Sequence, residues 1–170
     1  MPPGPTQRLA FREMTASDLD AMADLLGDPE VMAFYPRPKS RAEALGWIEW
    51  NQRLYRERGF GLWAIELRDT GAFVGDCGLT PQEVDGMPEV EVGYHVRRLL
   101  QGRGYATEAA AAVRDAVLGP DSVTGDDVTL VHAHIAPGHM ASVTVARRLG
   151  LVPTEVVHDG ETRWHLRPSG

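Results

Sequence analysis

The stretch Gln101-Gly102-Arg103-Gly104-Tyr105-Ala106 divides two hydrophobic periods. Before it, Glu89 to Arg97 alternates, with Val90, Val92, Tyr94 and Val96 on one face and Glu89, Glu91, Gly93 and His95 on the other. That pattern predicts a β-strand. After it, Ala106, Ala109, Ala110, Val113 and Val117 recur at helical spacing until Gly119-Pro120. Two glycines between them let the backbone turn tightly and bring its N–H groups toward one point. The following helix leaves its first amides unpaired and presents the positive end of its dipole. Strand, bend and helix together predict an anion pocket suited to phosphate oxygens. Arg97, Arg98 and Arg103 gather here in a chain whose 17 basic and 24 acidic residues give a net charge of −7. A plain strand-to-helix turn with scattered arginines would look the same, because a short glycine motif is weak evidence by itself. The bend is not a P-loop, which needs Gly-Lys-Ser/Thr. A dinucleotide fingerprint would want Gly or Ala where Thr107 stands.

Working outward, Gln7 to Glu13 reads as a short strand through its Leu9/Phe11 alternation. Leu19, Met22, Ala23 and Leu26 predict a helix capped by Thr15 or Ser17 and stopped at Gly27. Pro36 and Pro38 interrupt the chain next. Ser40 then opens a second helix to about Arg58, with Glu43 as its capping-box partner and Gly59 as its stop. Leu62 to Leu67 and Ala72 to Thr80 predict a hairpin around Asp69-Thr70-Gly71. A further turn at Asp85-Gly86 leads to the strand before the glycine bend. Past the bend come a polar loop at Asp121 to Asp127, a strand at Val128 to Ile135, and a helix carrying Ser142, Val145, Ala146 and Leu149. A terminal hairpin, Val152 to Val157 and Arg163 to Leu166, turns at Asp159-Gly160. The order β-α-α-β-β-β-α-β-α-β-β is α+β, or mixed α/β. Residues 1–6, rich in Pro and Gly, are expected to be disordered, and 7–170 to form a single domain.

Composition narrows the function. The chain has 170 residues, 43% hydrophobic and 24% charged, the proportions of an ordinary globular protein. One cysteine, Cys77, excludes an internal disulfide and a Cys-only zinc site, and it reads as a buried core thiol. No apolar run approaches the ~20 residues that span a bilayer, and the N-terminus has no secretory pattern. A cytoplasmic location is the default expectation, with no membrane and, given the acidic balance, no nucleic acid as partner. His132 and His134 share a strand face with His139 nearby, but a metal site would need further converging ligands, so no metal is expected.

Three blocks resemble a known family. The pattern Gln-x-x-Gly-x-Ala at Gln101, Gly104 and Ala106, set between Glu91-Val92-Gly93-Tyr94 and Thr107-Glu108-Ala109, resembles motif A of the GNAT superfamily of N-acetyltransferases, and more closely its RimJ/RimL-type branch. Gly75-Asp76-Cys77-Gly78-Leu79 is similar to the family's third strand. Pro137-Gly138-His139-Met140-Ala141-Ser142 through Arg148-Leu149-Gly150-Leu151 is similar to its Pro-x-Asn-x-x-Ser…Lys-Leu-Gly-Phe segment.

The resemblance implies a mostly antiparallel central sheet, splayed between strands 4 and 5 and flanked by helices. It implies acetyl-CoA as acetyl donor. Gln101, Gly102, Arg103, Gly104, Tyr105, Ala106 and Thr107 would bind its pyrophosphate through their backbone. Val96, Arg97 and Arg98 at the strand end would pair with the pantetheine arm. His139 stands where the family often has Asn, and Ala146 where many relatives have the Tyr that protonates the leaving thiolate. The acid role then falls to Ser142, a water or the amine itself. Glu91 is the candidate general base and a substrate contact, and Tyr35 a second substrate contact. The implied acceptor is a primary amine, on a small molecule or a protein N-terminus. A catalytically silent acyl-CoA-binding or protein-interaction domain on the same fold is the alternative. Oligomeric state is open, a homodimer included.

Overall fold

A computed structural model describes residues 1–84, 86–119, 131–156 and 160–166. The strands are β1 (Leu9–Arg12), β2 (Leu62–Leu67), β3 (Phe73–Val84), β4 (Met87–Val96), β5 (His132–Ile135), β6 (Leu151–Val156) and β7 (Thr162–Leu166). The helices are α1 (Leu19–Gly27), α2 (Arg41–Arg58), α3 (Tyr105–Leu118) and α4 (Met140–Arg148). The expected element order stands. The polar loop at Asp121 to Asp127, the start of the Val128 strand, and Asp85 and Asp159 in their turns lie outside the described residues.

Seven strands form one sheet in the order β1-β2-β3-β4-β5-β7-β6. Every neighbouring pair is antiparallel except β4–β5, which is parallel and, among the described residues, meets at one rung, Glu91 opposite His132. The fold is mixed α/β, with the splay where the family resemblance implies it. β2 shows why both faces need cover. Its residues are buried alternately on two sides, Trp63 and Ile65 in a core shared with α3 and α4, Leu62 and Ala64 in a core shared with α1 and α2.

The helix ends follow their caps. Ser40 Oγ accepts from Glu43 N and Glu43 Oε2 accepts from Ser40 N at 2.7 Å, closing the capping box, and Gly59 ends α2 in the left-handed region. Thr15 heads a single 3-10 turn, Ala16–Asp18, and α1 itself starts at Leu19. The β3–β4 hairpin runs on to Val84 rather than ending near Thr80. β3 has lost β2 as a neighbour beyond Gly78, so Pro81 sits where a strand tolerates a missing N–H. Residues 1–6 make contacts with the rest of the chain. Pro3 is buried, and Thr6 Oγ1 donates to Glu108 Oε1 at 2.6 Å.

One buried amide ties the second helix to the sheet. Asn51, with no exposed surface, accepts from Leu62 N at 2.7 Å and donates to Trp47 O at 3.0 Å. Replacing it by a similar-sized apolar residue would leave Leu62 N without a partner in the interior. Asn51→Leu is therefore expected to destabilise the fold by about 1–3 kcal/mol, measured as a lowered midpoint of chemical denaturation.

Candidate active site

The glycine bend follows a single 3-10 turn at Arg98–Leu100. Gly102 (φ 75°) and Gly104 (φ 82°) are both left-handed, which side chains resist, and Gly104 is the N-cap of α3. Glu108 N is the first α3 amide with a helical acceptor, Gly104 O at 3.0 Å. Among the described residues the amides of Gly102 to Thr107 meet no acceptor. The bend is braced from outside. Arg8 donates to Arg103 O at 3.0 Å, lies over the Tyr105 ring at 4.6 Å and pairs with Glu108 at 2.6 Å.

The amides open into a cleft of about 960 Å³ that passes through the splay, at the upper end of small-molecule sites, about 300–1,000 Å³. Both faces of β4 line it, Glu91 and His95 from one, Val96 and Tyr94 from the other. The lining includes Gln101, Gly102, Gly104 and Thr107 of the bend, Arg148 of α4 and the carboxylates Glu83, Glu91 and Glu161. The unpaired amides of the bend suit the diphosphate of coenzyme A.

Not every predicted contact converges here. Gln101 lines the cleft, yet its side chain is engaged, donating to Val96 O at 3.0 Å and so fixing the end of β4. Arg97 N donates to Val74 O at 2.9 Å, toward β3. Arg98 turns to the loop after α1 and meets Asp28 at 3.4 Å and Glu30 at 3.6 Å. The side chains of Arg97, Arg98 and Arg103 do not line the cleft; Arg97 and Arg98 face a smaller groove with Asp28.

The other candidates do meet. Glu91 Oε1 accepts from His134 N at 3.0 Å, and Oε2 from Gln82 Nε2 at 2.8 Å. The neighbouring Glu91 carboxylate, its Oε1 3.7 Å from His134 Nδ1, raises the imidazole pKa against burial. Tyr35 exposes 43% of its surface, but its hydroxyl turns inward to His95 Nε2 at 2.8 Å. Burial pushes the Tyr94 hydroxyl up to about 12, and the neighbouring Ser142 opposes that shift. His139 caps α4, its Nδ1 accepting from Ser142 N at 3.0 Å, and packs on the Phe34 ring with centroids 4.0 Å apart.

Residues 8–152 match the family described as acetyltransferase (GNAT) domain. The chain belongs to the GNAT acetyltransferases. It is 35% identical over 147 residues to the uncharacterized protein YkkB of Bacillus subtilis (strain 168), covering 86% of this chain and 83% of that one. An acetyltransferase from Agrobacterium tumefaciens str. C58 shares the fold with a TM-score of 0.84 at 24% identity, over 98% of this chain and 95% of that one. RimL, a ribosomal-protein α-N-acetyltransferase solved in complex with coenzyme A, shares it with a TM-score of 0.69 at 17% identity, over 94% and 92% of the two chains.

Within this GNAT frame several residues escape sequence reasoning. Ala146 is buried, and the tyrosine whose ionisation Ser142 influences is Tyr94 of β4. Asp76 and His95 sit opposite each other across β3 and β4, a pairing that only register reveals. Trp47 and Trp50 line the cleft with ring centroids 5.3 Å apart. Cys77 is buried in the core, and burial pushes its thiol up. Among the described residues no group of three His, Cys, Asp or Glu is arranged to hold a metal.

Burial lowers the His139 pKa below its ordinary 6.5, so Nδ1 stays bare and can accept from Ser142 N. The folded protein then binds fewer protons at His139 than the unfolded chain does. Stability must fall as pH drops below about 6.5. His139→Asn is expected to keep the cap and to remove this part of the acid sensitivity. His139→Ala is expected to cost about 1 kcal/mol at neutral pH. Denaturation midpoints between pH 5 and 8 read both.

Proposed function

We propose that the protein transfers the acetyl group of acetyl-CoA to a primary amine, on a protein N-terminus or a small molecule, by direct attack in a ternary complex, as a member of the RimJ/RimL-type branch. The observation that carries this reading is that the unpaired amides of Gly102 to Thr107 and the Glu91 carboxylate open into one cleft. Bound acetyl-CoA would supply an activated acetyl thioester. The bend amides would hold its diphosphate, with Gln101 fixing the strand end and Arg148 adding charge. Arg97, Arg98 and Arg103 would contribute through backbone and general field. The backbone at Val96, with His139 and Ser142 opposite, would guide the pantetheine arm, and amides of the splayed strands would face the developing oxyanion.

Proximity supplies much of the rate. An α-amino group has a pKa near 8, so about a tenth is neutral at pH 7. Glu91 is assigned to draw in the remaining ammonium and to take its proton, with Tyr35 as a second contact. A carboxylate already held by His134 N and Gln82 is fixed in direction, as a general base requires. Ser142, backed by Tyr94, is assigned as proton donor to the thiolate.

Release of CoA thiol against a panel of amines and N-terminal peptides tests the activity. Gly104→Asp, which puts a charged side chain on a left-handed residue at the bend, is expected to abolish acetyl-CoA binding in calorimetry. Normal binding would remove the bend from the site. Glu91→Gln keeps an acceptor for His134 N but loses the base, and is expected to lower turnover about 100-fold or more with acetyl-CoA affinity unchanged. Coenzyme binding without thiol release from any amine would favour the silent binding domain.

A further inference from the structure

Behind Tyr35 lies a chain of buried polar groups that the roles above leave unused. Asp76, on β3, has no exposed surface. Its Oδ1 accepts from the His95 backbone N–H at 3.1 Å and from His95 Nδ1 at 2.8 Å; its Oδ2 accepts from Trp47 Nε1 at 3.1 Å. His95 on β4 is buried as well, and its Nε2 lies 2.8 Å from the Tyr35 hydroxyl. Tyr35 and His95 both line the cleft that holds Glu91.

The partners set the proton positions. All three groups around Asp76 are N–H donors, so Asp76 acts only as an acceptor. It therefore fixes the His95 proton on Nδ1 and leaves Nε2 bare in the neutral ring. The bare Nε2 accepts the Tyr35 O–H. That leaves the lone pairs of the Tyr35 oxygen free to accept from an N–H in the cleft.

Acylation of an ammonium nitrogen removes two protons from it. One must leave before the lone pair can attack, and another once the C–N bond has formed. We propose that Tyr35, His95 and Asp76 form a relay that removes this second proton from the acceptor nitrogen. The nitrogen's N–H bond breaks and a Tyr35 O–H bond forms, while the original Tyr35 proton passes to His95 Nε2. The imidazolium is stabilised by the Asp76 carboxylate. The C–S bond breaks and its electron pair leaves with the thiolate, which takes the Ser142 hydroxyl proton, replaced on Ser142 from solvent. His95 returns its own to solvent after the product departs. Tyr35 touches the substrate; His95 and Asp76 are positioning and proton-holding residues behind it. The relay rests on the acetyl-transfer reading above, and it gives that reading a place for both protons, Glu91 for the first and His95 for the second.

Two measurements test it, one of them without turnover. In protein carrying ¹⁵N-labelled histidine, the His95 ring, identified by its loss in His95→Gln, should show a protonated Nδ1 and a bare Nε2 at neutral pH. Tyr35→Phe should shift the Nε2 resonance. Kinetics then separate transfer from anchoring. Glutamine at position 95 can still accept the Tyr35 O–H but cannot take up its proton. His95→Gln is expected to lower kcat about 100-fold, leaving acetyl-CoA binding intact and the amine KM within about threefold, and Tyr35→Phe to lower kcat similarly. A proton on Nε2, or a His95→Gln variant with undiminished kcat, overturns the relay. A raised amine KM with kcat preserved would make the chain an anchor for the Tyr35 loop, which also overturns it. Wild-type protein that binds acetyl-CoA yet acetylates no amine overturns the transferase reading and the relay with it, whatever the ring spectrum.

Discussion

Among the described residues, strands β4 and β5 meet at one rung, Glu91 opposite His132, and then part. Backbone N–H and C=O groups in an interior must find partners, so a parting of two central strands needs substitutes. Glu91 is one of them: its side chain, not a β4 carbonyl, receives the His134 N–H. Gln101 is another, closing on the Val96 carbonyl where β4 ends. The opening between the strands is the cleft. The same carboxylate that compensates for the lost pairing becomes the charged group facing it, so fold and chemistry share one residue.

The anion end of that cleft is shaped in advance. Thr6 and Arg8 hold Glu108 from the N-terminal side, and Arg8 holds the Arg103 carbonyl. With the outward carbonyl of the bend occupied, its amides keep their direction without a ligand. A site fixed before binding loses less entropy when it is filled.

What the sequence made legible was local. Periodicity, the Ser40/Glu43 box and Gly59 placed the helices, and two glycines between a strand and a helix marked the left-handed bend before α3. What stayed hidden depended on register or on distant contacts. Asp76 meets His95 only because β3 and β4 pair as they do, and a shift of one residue would turn both to other faces. Arg98 reads as part of a basic cluster, but Asp28 and Glu30 from the other end of the chain claim it. Nothing in the spacing pairs Thr6 with Glu108, 102 residues away. Tyr94 reads as a core residue on an apolar face, and nothing in the spacing tells that it lines the cleft.

The four tryptophans divide cleanly between two surroundings. Trp63 and Trp164 are buried in the core, whereas Trp47 and Trp50 form a close pair on the cleft wall. Indole emission responds to the polarity and quenchers around it, so occupancy of the cleft changes the light from one pair against a steady background from the other. The protein thus carries its own optical gauge of filling, needing no label.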